Sequence, residues 1–357
     1  MLKISSLKKL VTDSIAIDLG SASTIIAVKG RDIVLDEPSL VAVNELTEEI
    51  VAYGQEAADM LGREGRDIIV KAPLSSGVVA DFERTKKMLA HFVKKAKSGG
   101  SQVSLQAVMS MISDVTHVEQ RALLNAAEEA HISKVYMMEE GLAAAFGAGV
   151  LPSDKRATAV IDIGGGTTNI AVIAKGSVVH SRSERVGSNE INTAIAQHLR
   201  RHRGLQVGEE STELLKTKFA STFLPEDINK SMTIRGRDVQ TGSPGAVEVT
   251  AGEIYPIVEG IVRRMAQTIK DTLTELRPEV AADIFDRGVI LTGGGALLEG
   301  LDQYLRGFIN LPVTISDEPR YATVRGLLKM FDEPKLLEKV SRNELSLLQN
   351  AEIPFEA

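Results

Sequence analysis

The chain has no cysteine among its 357 residues. That absence excludes disulfides, thiolate nucleophiles and thiolate metal sites, and it is compatible with a reducing cytoplasm. Positive charge is also in deficit: a net charge of −7 disfavours a broad surface for a phosphate backbone, so nucleic acid is not an expected partner. Long apolar runs are missing too. The longest, "GLAAAFGAGVLP" at 141–152, falls far short of the roughly 20 residues that span a bilayer, and it reads as a buried helix and turn. The N-terminus "MLKISSLKKLVTD" lacks the uninterrupted apolar core and small-residue cleavage site of a secretory signal.

What that N-terminus does have is helical spacing. Ile4, Leu7, Leu10 and Val11 fall at i, i+3, i+6 and i+7, with Lys3, Lys8 and Lys9 beside or opposite the stripe. This is the pattern of a helix lying in a membrane surface, and equally of a helix packed on a domain or a frayed end. The composition, 43% hydrophobic and 25% charged, belongs to a globular chain large enough for two domains with sizeable cores.

The decisive feature is internal. "IDLGSASTIIAV" from Ile17 superimposes on "IDIGGGTTNIAV" from Ile161, pairing Asp18 with Asp162, Gly20 with Gly164 and Thr24 with Thr168. So long an offset predicts duplicated domains rather than a solenoid. Each copy reads as strand, tight Gly/Ser/Thr bend, strand. A glycine bend lets backbone N–H groups approach an anion, the hydroxyls add donors, and an aspartate ending the incoming strand can hold hydrated Mg²⁺. Two such bends facing each other could clamp a nucleotide's phosphates, whereas one alone would more often be a plain hairpin. A third cluster, "VILTGGGALLEGL" at 289–301, reads as a strand, loop and helix, suited to a purine or a phosphate or simply to close packing.

With these three segments in order, the chain resembles the superfamily of actin, heat-shock chaperones and sugar kinases. Within it the nearest resemblance is to the MreB family of bacterial actins. "DIVLDEPSLVAV" at 32–43, "GVVADFE" at 77–83, "GLAAAFGAG" at 141–149, "SRSERVGSNEINTAI" at 181–195 and "TIRGRD" at 233–238 fall in that family's order, and the resemblance runs from about residue 13 to 335.

It implies an α/β actin-like ATPase fold, two duplicated domains around a nucleotide cleft. The expected boundaries are an N-terminal amphipathic helix at 1–12, domain I at 13–148 with 318–340, domain II at 149–317, and a tail at 341–357. Small insertions are expected near 33–70 and 186–249.

The resemblance assigns Asp18 and Asp162 to Mg²⁺ through water. It gives Gly20, Ser21, Ser23 and Thr24 to the first phosphate loop, and Gly164, Gly165, Gly166, Thr167 and Thr168 to the second. Glu140 would position or activate the attacking water, the alternative being a helix-start carboxylate favoured by the dipole. Glu213 and Lys216 would touch the nucleoside, and Gly293, Gly294, Gly295 and Ala296 would lie under the adenine. The implied cofactors are ATP and Mg²⁺. The implied role is a filament on the inner face of the plasma membrane, held by residues 1–11, cytoplasmic and peripheral, that organises cell shape and wall synthesis. Its implied partners are itself and transmembrane morphogenesis proteins. A non-polymerising chaperone-like or regulatory ATPase of the superfamily is the alternative.

Three departures stand out. Gly141 replaces the family's usual Pro after the glutamate, Ile112-Ser113-Asp114 replaces Pro-Ser-Gly, and Ser188-Asn189 replaces Gly-Asp. The expectation is ATP binding with slow or altered hydrolysis, Gly141 freeing the backbone where the water is held. Elsewhere His198 and His202 have a zinc-like i, i+4 spacing, but two intervening arginines make a solvated basic helix face the better reading.

Overall fold

The structure, a computed structural model, describes residues 12–97, 104–113 and 115–339. The N-terminal stripe at 1–11, Asp114 and the tail at 341–357 lie outside the described residues. Among those described, no helix is long and apolar enough to cross a membrane.

Two five-stranded sheets carry the molecule, and each is built in the same way. In the first, Thr12–Leu19, Ser23–Val28 and Asp32–Pro38 form an antiparallel meander, and Ser104–Met111 and Lys134–Glu139 extend it in parallel. In the second, Thr158–Ile163, Thr168–Ala174 and Ser177–Glu184 form the meander, and Val289–Thr292 and Val313–Ile315 add the parallel strands. The repeat survives to the level of register: Asp18 pairs with Ile25 and Leu19 with Thr24, just as Asp162 pairs with Asn169 and Ile163 with Thr168.

Strand alternation distributes the core. Ile15 and Ile17 point into one buried cluster with Phe92 and Met109. Ala159, Ile161 and Ile163 point into another with Ile195, Val258 and Ile269. The opposite faces carry small residues, Ala16, Ala27, Val160 and Ala171, which close on a shared middle layer. Two short helices fill that layer, Glu140–Gly147 leading out of the first sheet and Ala322–Lys329 returning to it.

Each sheet carries an insertion. Residues 41–71 make a three-stranded sheet of Val41–Asn44, Ile50–Tyr53 and Ile68–Lys71. The strand Asp32–Pro38, which the sequence boundary at 33 assigned largely to this insertion, is hydrogen-bonded into the main sheet beside Ser23–Val28. Helices Asn189–His202 and Glu209–Phe219, with a small sheet ending at Thr250, form the second insertion.

Candidate nucleotide cleft

A cleft of about 940 Å³ opens between the two sheets, and both hairpin bends and the third glycine cluster line it. Asp18, Gly20, Ser21, Ser23, Glu140, Asp162, Gly164, Gly165, Gly166, Thr167, Glu213, Lys216, Gly293, Gly294 and Gly295 all reach it. The two bends face each other at contact distance: a Cβ on Gly165 would stand 2.5 Å from the Ala22 Cβ, so only glycine fits there. Each bend closes on itself in the same way, the Gly20 amide donating to the Ser23 carbonyl at 3.1 Å and the Gly164 amide to that of Thr167 at 2.8 Å. The Ser188 and Asn189 backbone amides donate to the carbonyls of Gly164 and Gly165 at 3.0 and 2.9 Å, so the backbone at this departure braces the second loop.

Three sequence-assigned residues do not reach the cleft. Thr24, Thr168 and Ala296 are all fully buried. The Thr24 hydroxyl bonds that of Ser39 at 2.9 Å, and Ser39 donates to the Gly20 carbonyl at 2.6 Å. The Thr168 hydroxyl donates to the Val186 carbonyl at 2.8 Å. These threonines hold the loops from behind, leaving Ser21, Ser23 and Thr167 as the hydroxyls in front.

On the floor, three carboxylates converge. Asp18 accepts from the Ser110 hydroxyl at 2.8 Å, and Asp162 from that of Thr323 at 2.9 Å. Burial pushes Asp18 up to about 6. Burial, then repulsion from Asp18, pushes Asp162 up to about 7. Glu140 is held well above the usual carboxylate range by burial first, then by Asp162 and Asp18. Acceptor-only groups crowded in this way stay neutral by taking protons, or ionise beside a cation. Among the described residues no three His, Asp or Glu side chains form a closed metal cage. The donor set therefore fits a Mg²⁺ that arrives with phosphate oxygens and keeps its waters, with Asp18 and Asp162 facing it.

A pH dependence follows. Both folded-state values exceed the ordinary 3.8, so between about pH 4 and 7 the folded protein without nucleotide binds more protons than the unfolded chain. Its stability therefore falls as pH rises through that window. Asp162→Asn, which removes a charge only 3% exposed, should flatten the slope, raise the melting temperature at pH 8, and abolish the stabilisation that Mg-ATP gives. Melting curves from pH 5 to 8 read all three; an unchanged slope contradicts the assignment.

At the outer end, Lys216 pairs with Glu213 at 2.7 Å, and Asn192 donates to the same carboxylate at 2.7 Å. Against the upward pull of burial, these partners hold Glu213 below its ordinary value. Glu253 engages His198 at 2.8 Å, which ties that histidine into the helix packing.

Gly141 overturns its sequence rationale. It lies inside the helix Glu140–Gly147, and a Cβ there would come within 2.5 Å of the Ala171 Cβ. The residue serves close packing against the second hairpin rather than a freed backbone. Next to the departure at Ile112, the backbone bridges the sheets, the Ser113 amide donating to the Ser183 hydroxyl at 3.3 Å. Ser110, Thr323 and Asn169 were not singled out in the sequence. Asn169, a polar residue in "TTNIAV" where the repeat has Ile25, gave the one signal available.

Similarity to known proteins agrees with this geometry. The family model described as MreB/Mbl protein matches residues 12–339. The cell shape-determining protein Mbl of Bacillus subtilis is 39% identical over 332 residues, covering 93% of this chain and 98% of its own. The cell shape-determining protein MreB of Haemophilus influenzae is 38% identical, over 91% of this chain and 95% of its own. Among solved structures, MreB5 of Spiroplasma citri bound to ADP superimposes with a TM-score of 0.85 at 31% identity, over 92% of this chain and 98% of that one.

Proposed function

The chain belongs to the MreB/Mbl family and has its actin-like fold, and from that premise we propose that it is an ATP-dependent cytoskeletal protein. It binds Mg-ATP in the cleft, hydrolyses it slowly, and assembles into filaments on the inner membrane surface that organise cell shape and wall synthesis. The carrying observation is the meeting of Asp18, Asp162 and Glu140 beneath two hairpin bends in identical register. The names of the relatives, cell shape-determining proteins, support the cellular role, and the ADP complex of the Spiroplasma relative supports the ligand.

When bound, Mg²⁺ would neutralise phosphate charge and ease the repulsion between the two aspartates. The chain's own groups do the rest. Amides and hydroxyls of the two bends hold the phosphates from both sheets, and Gly293 to Gly295 offer a flat bed for the base. Glu140, at the start of its helix, orients the water and accepts its proton. Because one bend belongs to each sheet, loss of the terminal phosphate loosens the clamp and alters the surfaces that meet neighbouring subunits.

Slow turnover is expected from the departures Ile112 and Ser188-Asn189, which line the cleft. Phosphate release should be slower than that of the Haemophilus relative under the same conditions; an equal rate contradicts this part of the reading. Deleting residues 1–11 should release the protein from anionic lipid vesicles in a sedimentation assay while leaving assembly intact. Unchanged lipid association of the deletion variant refutes a membrane role for that segment. Transmembrane morphogenesis proteins are the further expected partners, testable by crosslinking in cells.

A further inference from the structure

We infer that Asn169 is a positioning residue for Glu140, and that Ser183 and Ser113 fix its amide, so that the water-activating carboxylate is set by contacts from both sheets. The inference rests on reading the cleft as an ATPase site.

Asn169 is 1% exposed, in a strand whose other residues from Ile170 to Ile173 are apolar and buried. A buried amide requires partners for both its ends. Its oxygen accepts from the Ser183 hydroxyl at 2.7 Å, directly opposite in the sheet register. Its nitrogen lies 3.4 Å from the Thr167 hydroxyl. The helix that Glu140 starts packs on this strand, a Cβ on Gly141 standing 2.5 Å from that of Ala171, which puts Glu140 beside Asn169, whose amide draws the raised Glu140 carboxyl back down.

The chemistry fixes which end faces which partner. The Ser113 amide donates to the Ser183 oxygen, and the Ser183 proton goes to the Asn169 carbonyl, so the NH₂ is turned to Thr167 and Glu140. The two N–H bonds suffice for one carboxylate oxygen and the Thr167 hydroxyl, the two groups that flank the space before the phosphate loops. On the far side, the Ser113 amide donates to the Ser183 oxygen at 3.3 Å, and the Ser113 hydroxyl to the Glu139 carboxylate at 2.5 Å. Glu139 ends a strand of the first sheet and Glu140 and Ser113 follow its strands, whereas Asn169 and Ser183 belong to the second. The chain of bonds spans the cleft floor, and opening the cleft would break it. Nothing equivalent exists in the first hairpin, where Ile25 takes the corresponding place.

The test uses the full-length protein with Mg-ATP turnover and ADP affinity as readouts. Asn169→Leu should lower kcat by about 10- to 100-fold, the loss of one bond to a charged group, with KM and ADP affinity within about threefold. Ser183→Ala, a smaller change that does not disturb the strand, should lower kcat by about 3- to 10-fold. In the Glu140→Gln background neither substitution should lower kcat further, because both act through Glu140. A purely structural role would instead weaken ADP binding in parallel with kcat, or reduce the residual rate of Glu140→Gln; either result overturns the inference while leaving the ATPase reading standing. A wild-type protein that binds ATP and turns none over overturns both.

Discussion

Replacing Glu140 by Gln should lower ATP turnover by roughly 10²- to 10⁴-fold, the range expected for a general base, while leaving nucleotide affinity and the stabilisation by Mg-ATP almost unchanged. The side chain is isosteric, so the helix Glu140–Gly147 keeps its start and the Asn169 amide keeps a carbonyl to bond. Only the capacity to take a proton is lost. The position of Glu140 explains why the effect should be so large. Burial and the neighbouring Asp162 and Asp18 hold its carboxyl well above the usual carboxylate range in the cleft without nucleotide. Compensating the charge on the two aspartates favours its ionised form, which couples its basicity to the arrival of Mg-ATP. Single-turnover phosphate release, measured beside ADP binding, checks this. Equal loss of both would mean that Glu140 holds the floor together rather than acting on the water.

The second large effect lies away from the chemistry. Gly326→Ala should cost about 3 kcal/mol or more, at or above the upper end for overpacking a core. The two middle-layer helices cross backbone to backbone. A Cβ on Gly326 would lie 1.8 Å from the Ala143 carbonyl oxygen, and one on Gly147 1.7 Å from that of Ala322. No rotamer change relieves a clash with a carbonyl, so the helices must separate and open the layer that holds Ala143, Phe146, Val324 and Leu327. This crossing is also where the chain passes from one sheet to the other and back. The substitution should therefore lower the melting temperature and weaken nucleotide-dependent stabilisation together. The control is Gly260→Ala, at an exposed helix position with nothing within 4 Å, where about 0.5–1 kcal/mol of stabilisation is expected from helix propensity. Thermal or denaturant unfolding of the two variants settles the comparison; a small effect for Gly326→Ala would show that the crossing yields.

The duplicated hairpins were legible because register is written in sequence: an offset that aligns Asp18 with Asp162 also aligns Ile25 with Asn169, and the sheets obey it pair by pair. The glycine clusters were legible for a similar reason, since few side chains permit two loops to touch. What the sequence reading missed was direction. Thr24 and Thr168 lie in the same bends as Ser23 and Thr167 but point to the other face of their strands, toward Ser39 and Val186. The two-residue alternation that puts Ser23 and Ile25 on the cleft side already implied it. Ser110 and Thr323 were beyond reach for a different reason, because their partners are 92 and 161 residues away in the chain and no local pattern marks a hydroxyl that will meet a distant aspartate. Gly141 and Gly326 belong with them, as each is explained by a backbone or side chain from another segment.

The central claim is that nucleotide in this cleft drives self-assembly. The most direct measurement is electron microscopy of pellets from purified full-length protein, with and without Mg-ATP, alongside Asp162→Asn. The account predicts filaments that form with Mg-ATP, are absent without nucleotide, and are lost in the variant. Wild-type protein that binds Mg-ATP at saturation and stays monomeric would contradict it, leaving an actin-like ATPase that switches without polymerising.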